Sequence, residues 1–276
     1  IGIWGAVAGV SMALGPLAGG ALTQAAGWHF IFWINIPVGL LAIVLARRYI
    51  PESRAPQPRR ADPIGQTLLL ACLGLFTYGL IESTRAGMAA TLSTLLLAGA
   101  ALVGLLVYEP RRREPLLDVR FFRSLPFSSA TVIAVCMFAG LGAFLFLNSL
   151  YLQEVRGLTP ARVGLYMLPM AVMVMIVSPI SGRMVGAYGA RPSLAISGGM
   201  MTLSMLLLTR LAADTPMPQL LATYALFGLS FGMVNAPVTY AAVSGMPRAQ
   251  AGLAAAIATT SRQVGLALGV AMAGAL

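Results

Sequence analysis

Long apolar runs separated by short polar connectors recur along the whole chain. A helix that crosses the hydrocarbon core of a bilayer needs ~20 mostly apolar residues. Nine segments meet that description, at roughly 1–26, 30–46, 64–82, 91–108, 127–149, 161–182, 193–212, 219–241 and 251–276. Breakers stand at the joints: Gly27, Pro51, Pro63, Pro110, Pro126, Pro160, Pro192, Pro216, Pro218 and Pro247. Such residues end helices because they remove a donor or free the backbone from its helical range. The pattern predicts an all-α membrane protein with about nine transmembrane helices.

Composition supports this and removes most alternatives. Of 276 residues, 58% are hydrophobic and only 9% charged, whereas a soluble domain carries about 25% charged residues. The net charge of +10 would suit nucleic acid if the basic groups formed a face. All of them are arginines, and all but Arg262 lie in or at the ends of connectors between apolar runs, so nucleic acid is not an expected partner. Cys72 and Cys136 lie far apart inside apolar segments, and His29 is the single histidine, so no metal cluster, cofactor site or catalytic triad is expected. The chain opens and closes inside apolar runs, read as truncations, and no signal peptide is expected.

The arginines also orient the spans. With the first residue cytoplasmic, thirteen fall in inside connectors and only Arg85, Arg156, Arg162 and Arg210 fall outside. The positive-inside rule therefore places the N-terminal end of the chain on the cytoplasmic side of the cell membrane. The two longest connectors, 51–63 and 109–126, are both on that side and bracket a helical hairpin at 64–108. The expected organisation is the end of an N-terminal bundle at 1–50, linkers with the inserted hairpin at 51–126, and an incomplete C-terminal bundle at 127–276.

In the first segment, Gly5 and Gly9, and then Gly15 and Gly19, form two pairs at a spacing of four, which lets a neighbouring helix approach closely. Pro16 removes a helix hydrogen bond beside that face and predicts a bend. The string from Gly15 and Pro16 to Gly19 and Gly20 reads GPxxGG and is followed by Trp33-Ile-Asn35-Ile-Pro37-Val-Gly39. Together these resemble the fifth and sixth helices of drug:proton antiporters of the major facilitator superfamily, in particular the fourteen-helix branch, which has an extra helix pair between its bundles. His29 stands where that family often has Arg or another polar residue.

The likeness continues through Leu150-Tyr151-Leu152-Gln153, Gly157-Leu-Thr-Pro160, Gly164 and Leu168-Pro169. The stretch from Gly182 and Arg183 to Gly189 and Arg191 is similar to the family's cytoplasmic loop motif, GxLaDRxGrkp, with Gly186 in place of its Asp and Ala187 in place of its Arg. Ser261-Arg262-Gln263-Val-Gly265 resembles the penultimate helix. The resemblance covers the whole chain. It implies that the first four helices and the last one lie beyond it, including the embedded acids that couple proton flow.

Two polar features remain to be placed. Arg262 lies well inside the last span, where a central Arg costs ~2.5–3.5 kcal/mol on insertion scales and must face protein or water. Asn35, Asn148 and Asn235, with Gln153 and Gln263, are candidate cavity groups. Interhelical hydrogen bonding is the plainer role for each. Met167, Met170, Met173 and Met175 offer adaptable apolar surface. None of the eight acids lies at a helix centre. The expectation is a proton-coupled efflux transporter of amphipathic or cationic small molecules, with protons and the lipid bilayer as further partners and no enzymatic chemistry. Uptake symport of a polar solute shares the same fold, and a membrane scaffold or embedded enzyme is the alternative from another class.

Overall fold

The computed structural model describes residues 11, 15, 17–49, 51, 62–83, 87–112, 119–244, 246 and 251–275. The first ten residues, Pro16, and the connectors 52–61 and 113–118 lie outside the described set, and with them Gly5 and Gly9. In chain order the helices are α1 (17–26), α2 (Phe30–Trp33), α3 (Asn35–Tyr49), α4 (Pro63–Glu82), α5 (Gly87–Tyr108), α6 (Leu125–Leu150), α7 (Pro160–Tyr166), α8 (Leu168–Tyr188), α9 (Ala190–Leu208), α10 (Met217–Ser244) and α11 (Ala251–Gly274). No strand occurs among the described residues. That is the solution lipid demands of a chain without a closed barrel, because a helix satisfies its backbone groups internally.

Seven described segments are long and apolar enough to cross a membrane: Phe30–Tyr49, Pro63–Glu82, Gly87–Arg111, Leu125–Val155, Pro160–Tyr188, Met217–Ser244 and Gly252–Gly274. Each coincides with an expected span. The expected span at 193–212 is also helical, as α9, but it is less apolar and falls outside those seven. Two spans are interrupted as well. A turn at Ile34 separates α2 from α3, and one at Met167, two residues before Pro169, separates α7 from α8. After α6 the helix loosens into a π-turn at Tyr151–Val155.

Local chemistry explains several boundaries. Asp62 caps α4 by accepting from the Gly65 N–H at 3.0 Å, and Pro63 takes the first helical position, where its missing donor is harmless. Gly189 joins α8 to α9 at φ +79°, a left-handed conformation that suits glycine.

The described chain divides into two compact units, residues 1–58 with 149–237, and residues 59–148 with 238–276. In the first unit, α10 packs against α8 through glycines. A Cβ on Gly228 would come within 2.8 Å of the Met170 backbone, and one on Gly232 within 3.2 Å of Val174 Cα. In the second unit, α4 and α5 form an antiparallel pair, and α6 packs on α11. There Gly265 and Gly269 lie against the backbone of Val135 and Ala139, while Gly142 lies against that of Leu266. Small residues at these crossings let helix backbones approach closely, which favours association inside a bilayer.

Candidate functional site

Arg262 lies at the middle of α11, one turn before Gly265. The glycine contacts that bring α11 against α6 also bring the guanidinium over the ring of Phe138, with Cζ 5.8 Å from the ring centroid. On its other side, Nη2 donates to Thr239 Oγ1 of α10 at 2.5 Å. Phe138 of α6, Thr239 from the C-terminal end of α10 and Arg262, all in the second unit, therefore give a half-buried cation in a span an aromatic face and a hydroxyl. This is the environment a mid-membrane Arg requires, since the head group is kept from lipid and the ring quadrupole attracts it. The planar donor fork is suited to a carboxylate, phenolate or carbonyl oxygen.

The other expected polar residues differ in burial and in partner. Asn148 is buried near the end of α6. Asn235 turns back on its own helix, donating to Phe231 O at 3.4 Å. Asn35 does the same, to Ile31 O at 2.9 Å, and is exposed. Gln263 is exposed beside Arg262. Gln153 is exposed in the π-turn and donates to Ser149 Oγ at 2.7 Å. Of the loop motif, Gly182 is half-buried, Gly189 makes the turn, and Arg183 and Arg191 are exposed.

The glycine string gives a further result. Gly15 and Gly19 were expected to carry the close helix approach, yet no described atom lies within 4 Å of a Cβ placed on either. The close approach is at Gly20, where a Cβ would stand 2.8 Å from the Pro160 carbonyl carbon and 3.1 Å from Ala161 Cα.

The described acids stand at helix ends or in loops: Asp62, Glu82, Glu109, Glu154 and Asp214. Two of them meet. Asp62 and Glu109, both buried, close one end of the α4–α5 hairpin. Tyr108 donates to Asp62 Oδ1 at 3.2 Å, and a Cβ on Gly65 would lie 2.5 Å from Glu109 Oε1 and 2.7 Å from Asp62 Oδ2. At another loop, Arg156 donates to the carbonyls of Ala213 and Thr215, both at 2.9 Å, while Tyr151 donates to that of Ala212 at 2.7 Å.

Sequence reasoning missed Phe138 and Thr239, because partners on other helices leave no local signal. It also missed a column of buried hydroxyls on α9, although their spacing was visible. Ser193, Ser197 and Ser204 fall on one helical face, and all three are buried. Their partners are on α8 and α10. Ser197 Oγ donates to Ser230 O at 2.9 Å and Ser230 Oγ to Ser197 O at 2.8 Å, while Ser204 reaches Thr223 O at 3.4 Å.

Comparison with known proteins places this geometry. Residues 1–270 match the family model described as Major Facilitator Superfamily. The chain is 35% identical over 279 residues to the tetracenomycin C resistance and export protein of Streptomyces glaucescens, covering 100% of this chain and 52% of that protein. It is 32% identical to the multidrug resistance protein Stp of Mycobacterium tuberculosis, with the same coverage. It is 29% identical to the riboflavin transporter RibZ of Clostridioides difficile, over 98% of this chain and 59% of that one. The chain spans about half the length of these first two curated relatives. With a family match along nearly its whole length and helices built to cross a bilayer, this chain is a multi-pass membrane protein that belongs to the Major Facilitator Superfamily.

Proposed function

We propose that the complete protein is a secondary active transporter that exports amphipathic or cationic small molecules in exchange for protons by alternating access. The observation that carries this reading is the similarity along the entire chain to a resistance and export protein, at 35% identity. The mid-span Arg262, held by Phe138 and Thr239, supports it as a group for substrate or for coupling. On this reading the chain performs no covalent chemistry. The division into bundles at 1–50 and 127–276 around an inserted hairpin belongs to the same proposal. So does a sealing role for the GPxxGG helix, with Gly20 as its contact point. The N-terminal end of the chain is cytoplasmic on the arginine asymmetry, and labelling of single cysteines at 54–60 from outside the cell would overturn that orientation.

A second reading is proton-coupled uptake of a polar solute by the same fold, and a riboflavin transporter is among the relatives. One assay separates the two. The full-length carrier is reconstituted in vesicles, a pH gradient is imposed, and flux of a planar cationic dye and of a polar vitamin is followed. Dye movement opposite to the proton gradient, abolished by a protonophore, is expected. Vitamin movement along with protons, with the dye static, would replace export by symport.

A further inference from the structure

Pro237 lies inside α10 and is fully buried. It has no N–H to offer the carbonyl four residues back, which belongs to Met233. That carbonyl is met from two other helices instead. Ser181 Oγ of α8 donates to it at 2.8 Å and Ser193 Oγ of α9 at 2.9 Å. The two hydroxyls are also 2.8 Å from each other, both are buried, and Ser193 Oγ lies 3.5 Å from Met233 Sδ.

Three oxygens in mutual contact share only two hydroxyl protons, because each serine has a single O–H. At any instant two of the three contacts are hydrogen bonds. Either both serines donate to the carbonyl, or one donates to it while the other donates to its neighbour. Rotation of a hydroxyl interconverts these arrangements, and the carbonyl keeps at least one donor in each. The neighbouring pair behaves differently. Ser197 and Ser230 each have a carbonyl of their own, so that pair has no spare bond and fastens α9 to α10.

We propose that Ser181, Ser193 and the Met233 carbonyl form a pivot for α10. As the bend at Pro237 changes, one serine lets go while the other holds, so the freed carbonyl is never left bare in a medium without water. The two serines act as positioning residues and touch no substrate. The proposal rests on the alternating-access reading for its purpose, and on the hydrogen-bond geometry for its existence.

The test uses the full-length carrier with Ser181→Ala, Ser193→Ala, both together, Pro237→Ala, and all three changes combined. Melting of the purified protein is read by tryptophan fluorescence, and transport by initial rates. Each single serine change lowers the melting midpoint slightly, because the second hydroxyl covers the carbonyl. The double change lowers it by more than the two effects added. Pro237→Ala restores an N–H to Met233 O, so the triple variant regains most of the loss. Pro237→Ala alone keeps the midpoint but slows turnover several-fold at unchanged KM. An additive double variant, a triple variant without recovery, or wild-type turnover in Pro237→Ala overturns the proposal. If the double variant cannot be purified, recovery of the triple variant is the same test, and its failure counts against the pivot. An unsubstituted carrier without transport would instead sink the transport reading, while the melting comparison judges the clasp by itself.

Discussion

The α4–α5 hairpin and the α8–α10 cluster are both made of membrane-length helices, but they are held together by different means. In the hairpin only Gly65, Gly79, Ala98 and Leu105 are buried, and large apolar side chains such as Leu70 and Leu96 face outward. Its buried acids, Asp62 and Glu109, lie at one end, where Tyr108 donates to Asp62. In the cluster, hydroxyls and small residues are buried among large apolar side chains such as Leu220, Tyr224 and Phe227: Ser181, Ser193, Ser197, Ser204, Thr223 and Ser230, with Gly228 and Gly232 at the crossings. Apolar contact between helices gains little when the surrounding lipid is equally apolar. Close backbone approach and hydrogen bonds then specify which helices meet and at what depth. The hairpin is thus a segment written for lipid, whereas the cluster is written for its neighbours.

Substitutions at matched glycines break this contrast most sharply. Gly228→Leu is expected to abolish the folded carrier, because its side chain would have to enter the Met170 backbone, and rigid backbone cannot move aside. Gly269→Leu in α11 meets the Ala139 backbone and should fail in the same way. Detergent-resistant monomer after purification is the measurement, and a normal yield of either variant would contradict the packing described. A smaller effect is expected at the fastening pair. Ser197→Ala removes one of two reciprocal hydrogen bonds and should cost about 1 kcal/mol of stability. Denaturation midpoints would check this, and an unchanged midpoint would show that lipid-phase packing alone fastens α9 to α10. The smallest effect is expected in the hairpin. A Cβ on Gly99 meets no described atom within 4 Å, so Gly99→Leu should leave both yield and stability near the wild-type values.

The same contrast explains how much could be read from the sequence. The hairpin was fully legible, since runs 64–82 and 91–108 are apolar enough to mark themselves, and the helices are Pro63–Glu82 and Gly87–Tyr108. Helix α9 was foreseen at 193–212, yet its inward serines make it the least conspicuous of the expected spans that the structure describes. Hydropathy records contact with lipid, so it fades where a helix turns toward protein. The turn at Met167 has a local mark in Pro169 at the start of α8, whereas no breaker in the sequence marks the π-turn at Tyr151–Val155. Arg262 could be singled out because a charge in a span is costly wherever it points. Its partners could not, because Phe138 and Thr239 are more than twenty residues away on other helices. Pro237 announces a carbonyl without a donor at Met233, but nothing local tells which hydroxyls supply it.

The central claim is that transport depends on the polar groups held by the packed helices and not on the hairpin. The most direct measurement is the initial rate of proton-gradient-driven efflux by the full-length carrier, normalised to protein in the membrane, for Arg262→Ala beside Gly99→Leu. Arg262→Ala should lower the rate about tenfold or more at an undiminished membrane level, equivalent to ~1.4 kcal/mol or more of barrier. Gly99→Leu should transport like the unsubstituted protein. A wild-type rate in Arg262→Ala, or an equal loss in both variants, would contradict the account.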